Sequence, residues 1–74
     1  MTKNPKLLKF GRAIRKLREG KGWSQELLAE HAELHRNYVS SLERGERNVA
    51  LLNITQLAKA LNLKASKLLE LADL

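Results

Sequence analysis

The chain has 74 residues, of which 14 are lysine or arginine, 8 are aspartate or glutamate and none is cysteine, for a formal net charge of +6. This length suits one domain with a modest core, and the lack of cysteine excludes disulfides and the usual zinc-finger spacings. No apolar run is long enough for a signal peptide or a membrane span, so we expect a soluble, cytoplasmic protein.

The positive charge is concentrated near the N-terminus. The first 22 residues carry a net charge of +7, and the other 52 carry −1. Such a segment suits a polyanion, either nucleic acid or an anionic membrane surface, although a solvated helix face is the simpler alternative for any single lysine. Residues 1–5 are a predicted polar tail, followed by a single domain over residues 6–74. Pro5 fits either the first turn of a helix or the end of a loose tail.

Apolar residues recur at helical spacing after this tail, which predicts a first helix from Lys6 to about Glu19. Its apolar positions are Leu7, Phe10, Ile14 and Leu17. The run Gly20-Lys21-Gly22 ends the helix, with glycine in the usual C-terminal place. Gly11 lies inside the helix at a cost of about 0.8 to 1 kcal/mol relative to alanine, so we expect it to permit close packing.

The stretch from Ser24 to Glu43 reads as two short helices joined by a tight turn. Ser24 is a good N-cap for the first of them, and Trp23 before it can pack on Leu28 as a hydrophobic staple. Ala29 is small where two crossing helices have to approach closely. His35 is the predicted N-cap of the second helix, which begins at Arg36.

That second helix, the third of the chain, has two different faces. A step of about 100° per residue places Tyr38, Val39 and Leu42 on an apolar side. The opposite arc of about 140° carries only long or small polar groups, namely Arg36, Asn37, Ser40, Ser41 and Arg44. Such a face suits base edges or phosphates. Arg36 is the best candidate for a bidentate contact to guanine and Asn37 for one to adenine. Ser40 and Ser41 are predicted to add further contacts to base edges.

A polar loop follows the third helix, and two further helices complete the chain. Gly45 fits a helix C-cap, and Arg47 and Asn48 after it can reach a phosphate backbone. A fourth helix is predicted from Leu51 to Leu61, with a left-handed cap after it. Its apolar positions are Leu51, Ile54, Leu57, Ala58 and Leu61, and the cap is Asn62. The fifth helix spans about residues 65–71.

The C-terminal part carries more apolar surface than one face of a short helix needs, which favours a dimer interface. The residues predicted at this interface are Leu52, Leu63, Leu68 and Leu71. Core filling is the alternative. Dimerisation also fits the energetics, because one helix reads about four base pairs at about 1 to 3 kcal/mol each, whereas useful specificity takes about 4 to 10 kcal/mol over random DNA. A symmetric dimer predicts half-sites about 34 Å apart.

Two segments carry a resemblance to a known family. SQELLAE and LERGERN, with Ala29, Leu34, Val39 and Leu42 between them, resemble the helix-turn-helix of the Cro and lambda-repressor-like, or XRE, family. The resemblance extends from about Phe10 to Leu69, and HRNYVSSLERGERN is most similar to the small restriction-modification controllers. It implies an all-α, compact five-helix domain that regulates transcription as a homodimer on a palindromic operator in double-stranded DNA, with RNA polymerase as a further candidate partner.

The resemblance also implies roles for single residues. Arg18 matches an arginine that pairs with the glutamate matching Glu43, and Gln25 matches a phosphate-contacting position at a helix start. Arg47 matches a DNA contact. The remaining predicted backbone contacts are His35, Tyr38, Arg44 and Asn48.

The chain departs from the family pattern in two places. Glu33 stands where the family usually has glycine in the turn, and a non-glycine residue in the left-handed region costs on the order of 1 kcal/mol. Val49, Ala50 and Lys64 replace the residues that usually start the last two helices, so we expect these helices to fray more readily.

Other chemistry is not expected. His31 and His35 have a zinc-like spacing, but the predicted turn separates them and no third ligand is obvious, so we expect no metal and no cofactor. The chain has no phosphate loop or paired carboxylates in a cleft, which indicates a protein that is not an enzyme. Three alternatives remain, namely an antitoxin that also binds a toxin, an interaction module that uses the fifth helix, and a membrane-surface peptide built on the first helix.

Overall fold

The computed structural model describes residues 4–74, which form five α-helices and no β-strand. In chain order the helices are α1 Pro5–Gly20, α2 Gln25–Ala32, α3 Arg36–Glu43, α4 Leu51–Ala60 and α5 Ala65–Leu71. The predicted all-α, five-helix architecture is therefore confirmed. No helix among residues 4–74 combines the length and the apolar character needed to cross a membrane.

The first helix begins earlier than predicted. The Asn4 side chain accepts a hydrogen bond of 2.8 Å from the Lys6 backbone N–H, and Pro5 occupies the first turn, where its missing N–H costs nothing. The predicted tail over residues 1–5 is therefore wrong for these last two positions. Its remaining part, residues 1–3, lies outside the described residues.

The core is made of one cluster to which every helix contributes. The buried apolar residues are Phe10, Ile14, Leu28, Ala29, Ala32, Val39, Leu42, Leu57, Ala58, Leu61, Leu68 and Ala72. The prediction that Leu68 lies at a dimer interface is wrong. Leu68 is fully buried, so it belongs to the core of one chain rather than to a surface that meets a second copy. Leu51, the first residue of α4 and one of its predicted apolar positions, is 72% exposed.

Gly11 lies where α1 and α3 approach each other closely. A β-carbon built at this position would collide with the backbone carbonyl of Leu42 and would lie 2.6 Å from the carbonyl oxygen of Glu43. Those two residues form the last turn of α3, so α1 and α3 can touch backbone to backbone only with glycine here. The expected close packing is confirmed.

A buried ion pair joins the same two helices. Arg18 Nε donates to Glu43 Oε2 at 2.7 Å and Arg18 Nη2 donates to Glu43 Oε1 at 3.0 Å. Their side chains are only 11% and 3% exposed. The hydrogen bond to Glu43 raises the pKa of Arg18 against the opposing effect of burial, so the guanidinium stays charged. The pair implied by the family resemblance is confirmed.

The turn between α2 and α3 keeps its left-handed residue without glycine. Glu33 adopts φ 57° and ψ 42°, and the Leu34 N–H donates to the Ala29 carbonyl at 2.9 Å, which satisfies the end of α2. Asn62 adopts φ 59° after α4, as predicted. By contrast, neither Ala50 nor Lys64 supplies a side-chain cap, so α4 and α5 begin with uncapped N–H groups as expected.

Candidate nucleic-acid interface

The start of α3 presents two side chains outward. His35 is the N-cap, as predicted, and its Nδ1 accepts a hydrogen bond of 3.0 Å from the Asn37 N–H. Arg36 and Asn37 are exposed, and within residues 4–74 neither side chain has a hydrogen bond or an ion pair. Their donors and acceptors remain available to an external polar ligand.

The middle of α3 differs from the prediction at Ser41. This residue is 8% exposed. Its Oγ donates to the Tyr38 carbonyl at 3.0 Å and accepts from Arg47 Nε at 3.0 Å. Ser41 lies at the edge of the polar arc, where the loop after α3 folds back over it. The prediction that it reads a base is therefore wrong.

Tyr38 is bound on two sides. Its hydroxyl accepts a hydrogen bond of 3.0 Å from Asn53 Nδ2, and the Arg47 guanidinium carbon lies 5.8 Å from the ring centroid. The Tyr38 hydroxyl, which was predicted to contact the DNA backbone, is thus hydrogen-bonded to α4. Asn53 was missed at the sequence level, because a polar residue in the first turn of an amphipathic helix carries no signal for a partner fifteen residues away.

Ser40 and Arg44 form a second polar unit. Arg44 Nη1 donates to Ser40 Oγ at 2.6 Å, and its Nε donates to Glu46 Oε1 at 3.1 Å. The polar face of α3 is therefore bordered by a carboxylate, which a helical projection of α3 alone does not include. Glu46 partly neutralises this end of the face.

The loop after α3 is held against α1. Gly45 has φ 75°, a conformation that glycine adopts without strain, and a β-carbon there would lie 2.7 Å from Leu8 Cδ2. The C-cap residue itself is Arg44, and Gly45 follows it, with its N–H donating to the Leu42 carbonyl at 3.0 Å, so the predicted glycine ends α3 one position later than a C-cap. Arg47 and Asn48 follow as exposed residues, while Gln25 uses its Nε2 to donate to Glu43 Oε1 at 2.9 Å. Gln25 therefore also supports the buried ion pair.

The two histidines lie in different environments. His31 stacks on Trp23 with ring centroids 4.4 Å apart and an interplanar angle of 6°, and Lys21 Nζ lies 5.2 Å from the Trp23 ring. His35 caps α3. Residues 4–74 contain no group of three potential metal ligands. The Trp23–His31 stack was not anticipated from the sequence, which favoured packing of Trp23 on Leu28.

Part of the positive charge on α1 is compensated locally. Lys9 Nζ lies 3.0 Å from Asp73 Oδ2, and Arg15 Nε lies 3.2 Å from Glu19 Oε2. All four side chains are exposed, so these pairs contribute little to stability. They lower the charge that α1 offers to a polyanion.

A short helix, a tight turn and a second helix with an exposed polar start define the helix-turn-helix class of DNA-binding proteins. The sequence profile described as Helix-turn-helix matches residues 14–68, and the chain belongs to this family of transcription regulators.

Individual relatives are more informative still. The chain is 48% identical over 71 residues to control protein C.BamHI of Bacillus amyloliquefaciens, spanning 95% of this chain and 86% of the relative. It is 52% identical over 56 residues to control protein C.SmaI of Serratia marcescens, spanning 76% and 67%. The crystal structure of the restriction-modification controller protein C.AhdI from Aeromonas hydrophila superposes with a TM-score of 0.81 at 52% identity, covering 84% of this chain and 94% of that one.

Proposed function

We propose that this regulator controls a restriction-modification system and binds a palindromic operator as a homodimer, with α3 of each subunit in the major groove. The proposal rests on Arg36 and Asn37 at the start of α3, which are exposed and make no side-chain hydrogen bond or ion pair within residues 4–74. Similarity to C.BamHI and C.AhdI supports the controller role. The protein acts in the cytoplasm, and a regulator bound beside a promoter has RNA polymerase as a further partner.

The residues of the interface divide into two groups. Arg36 donates two hydrogen bonds to the O6 and N7 atoms of a guanine, and Asn37 pairs with an adenine edge. Ser40 and Arg44 lie further along the same face. The contacts to phosphate come from the start of α2, from the N-cap of α3 and from the loop after α3, namely Gln25, His35, Arg47 and Asn48.

A dimer has an available surface in the C-terminal half. Leu52 and Leu71 are 74% and 48% exposed, and Leu63 is half-buried. Leu51 and Leu74, which were not predicted there, add to the exposed apolar area. Leaving several large apolar side chains in water is unfavourable, so a second copy is the partner that we propose for this surface.

The direct test is selection from a library of randomised duplexes, followed by sequencing and by sedimentation of the recovered complex. Enrichment of a palindrome with two chains bound per duplex supports the proposal. Weak, salt-sensitive binding without enrichment contradicts it, because that result describes electrostatic attraction alone.

Arg36→Ala is expected to cost about 1 to 3 kcal/mol per half-site and to relax specificity at one base pair, because it removes the bidentate contact. Titration of the selected duplex and of variants at each position measures both effects. Lys9→Ala is the control, since Lys9 already pairs with Asp73 and its removal should change affinity little and evenly. Equal losses for Arg36→Ala on selected and random DNA would contradict base reading.

Leu52→Glu is expected to yield a monomer in sedimentation at micromolar concentration, because two carboxylates would face each other across the symmetric interface. Operator affinity should fall by at least about 100-fold with the loss of one half-site. The melting temperature of the folded chain should change little, since Leu52 is highly exposed. A dimer of unchanged affinity would place the interface elsewhere.

A further inference from the structure

A chain of contacts runs from α4 to the loop after α3. Asn53 Nδ2 donates to the Tyr38 hydroxyl, the Tyr38 ring lies against the Arg47 guanidinium, and Arg47 Nε donates to Ser41 Oγ. The two hydrogen bonds are each 3.0 Å long. Arg47 is the exposed member of this series of contacts, and Ser41, where the series ends, is buried.

The hydroxyl of Ser41 is arranged to accept. Its single proton is donated to the Tyr38 carbonyl, so only its lone pairs are directed toward the loop. An arginine Nε–H is a suitable donor for them. The Nη1 and Nη2 groups of Arg47 make no hydrogen bond within residues 4–74, so their four N–H donors remain available to a phosphate or a base edge.

Arg44, the arginine directly after α3, is held differently. Its Nη1 binds Ser40 and its Nε and Nη2 bind the Glu46 carboxylate, so it already has a counter-ion. Arg47 is held by a neutral hydroxyl and an aromatic ring, which fix its position, and no carboxylate in the described part of the chain forms an ion pair with it. Of the two, Arg47 is the one set up to bind an anion.

We infer that Ser41 is a positioning residue, which orders the Arg47 side chain against the Tyr38 ring before DNA binds. This inference rests on the proposed function. Binding a phosphate or a base otherwise requires immobilising a long, flexible side chain, and that ordering weakens association. Asn53 contributes by fixing the Tyr38 ring. Ser41 thus acts on DNA through Arg47 and not by its own contact.

Ser41→Ala tests the inference by a double-mutant cycle on the selected duplex. Because each subunit of the dimer loses the ordering of one arginine, operator affinity should fall by about 5-fold to 100-fold. The salt dependence should stay as in the wild type, since Arg47 still reaches the DNA, whereas Arg47→Ala should reduce the salt slope. In the Arg47→Ala background, Ser41→Ala should change affinity by less than about twofold.

Thr55→Ala is the matched control. Thr55 Oγ1 donates to the Leu52 carbonyl three residues earlier, as Ser41 does to Tyr38, but no arginine binds it. Its removal should leave operator affinity within about twofold of wild type. A full loss of affinity for Ser41→Ala in the Arg47→Ala background would overturn the inference, because Ser41 would then act independently of Arg47.

A measurement without DNA separates this inference from the proposed function. In nuclear magnetic resonance spectra of the free protein, the Arg47 Nε–H group should show a heteronuclear Overhauser effect typical of an ordered side chain. Ser41→Ala should reduce it to that of a mobile arginine, and Thr55→Ala should not. An equally ordered Arg47 in the Ser41→Ala protein would overturn the inference even if the operator is bound. Ordering of Arg47 by Ser41 without selection of any duplex would leave the proposed function at fault.

Discussion

Glu43→Ala is expected to lower the free energy of unfolding by about 3 to 5 kcal/mol, because it leaves the Arg18 guanidinium buried without its counter-ion. A domain of this size has only about 5 to 10 kcal/mol of stability, so the loss removes a large part of it. Urea denaturation, followed by the fluorescence of the single tryptophan, measures this change in the free energy of unfolding. Trp23 reports it well, since its carbonyl accepts a hydrogen bond of 2.8 Å from Arg18 Nη1.

Two further variants separate charge from packing. Glu43→Gln keeps an acceptor for Arg18 and should cost clearly less than Glu43→Ala. Replacing both partners by apolar residues of similar size, as in Arg18→Met with Glu43→Leu, should recover most of the stability, because neither charge is then buried. If the double variant is as unstable as Glu43→Ala, burial of an unpaired charge is not the cause.

The features that the sequence predicted well are local ones. Ser24 and His35 cap the helices that follow them, and Glu33 and Asn62 adopt the left-handed conformation at the expected positions. Each depends on a few neighbouring residues and on backbone geometry. The Arg18–Glu43 pair is a contact over 25 residues, and it was predicted only because the family resemblance supplied it.

The features that failed depend on where an element lies relative to the others. The helical projection treats α3 as isolated, so it could not reveal that Arg47 covers Ser41 or that Asn53 binds Tyr38. Composition likewise showed a surplus of leucine, but it could not show which leucines are buried in the core and which are exposed. The structure separates the two groups, because Leu68 is buried in the core and Leu52 is exposed on the surface of the single chain.

Gly11→Ala is expected to destabilise the fold by about 3 kcal/mol or more. Alanine improves helix propensity by about 0.8 to 1 kcal/mol, so the entire loss has to come from the collision of its β-carbon with the last turn of α3. Backbone carbonyls cannot rotate away as a flexible side chain does. The helices α1 and α3 must separate instead, and this separation also stretches the Arg18–Glu43 pair that crosses the same interface.

Gly20→Ala provides the matched comparison in the same helix. A β-carbon at this last residue of α1 has no heavy atom within 4 Å, so only the propensity gain remains, and stability should rise by about 0.5 to 1 kcal/mol. In parallel urea titrations, the same glycine-to-alanine change should lower the free energy of unfolding at position 11 and raise it at position 20. A gain for both would mean that α1 and α3 are further apart in solution than their contact at Gly11 requires. A loss of stability for Gly11→Ala alone would mean that the absence of a β-carbon at Gly11 sets the position of α3 against α1. The direction of Arg36, at the start of α3, would then depend on the same contact.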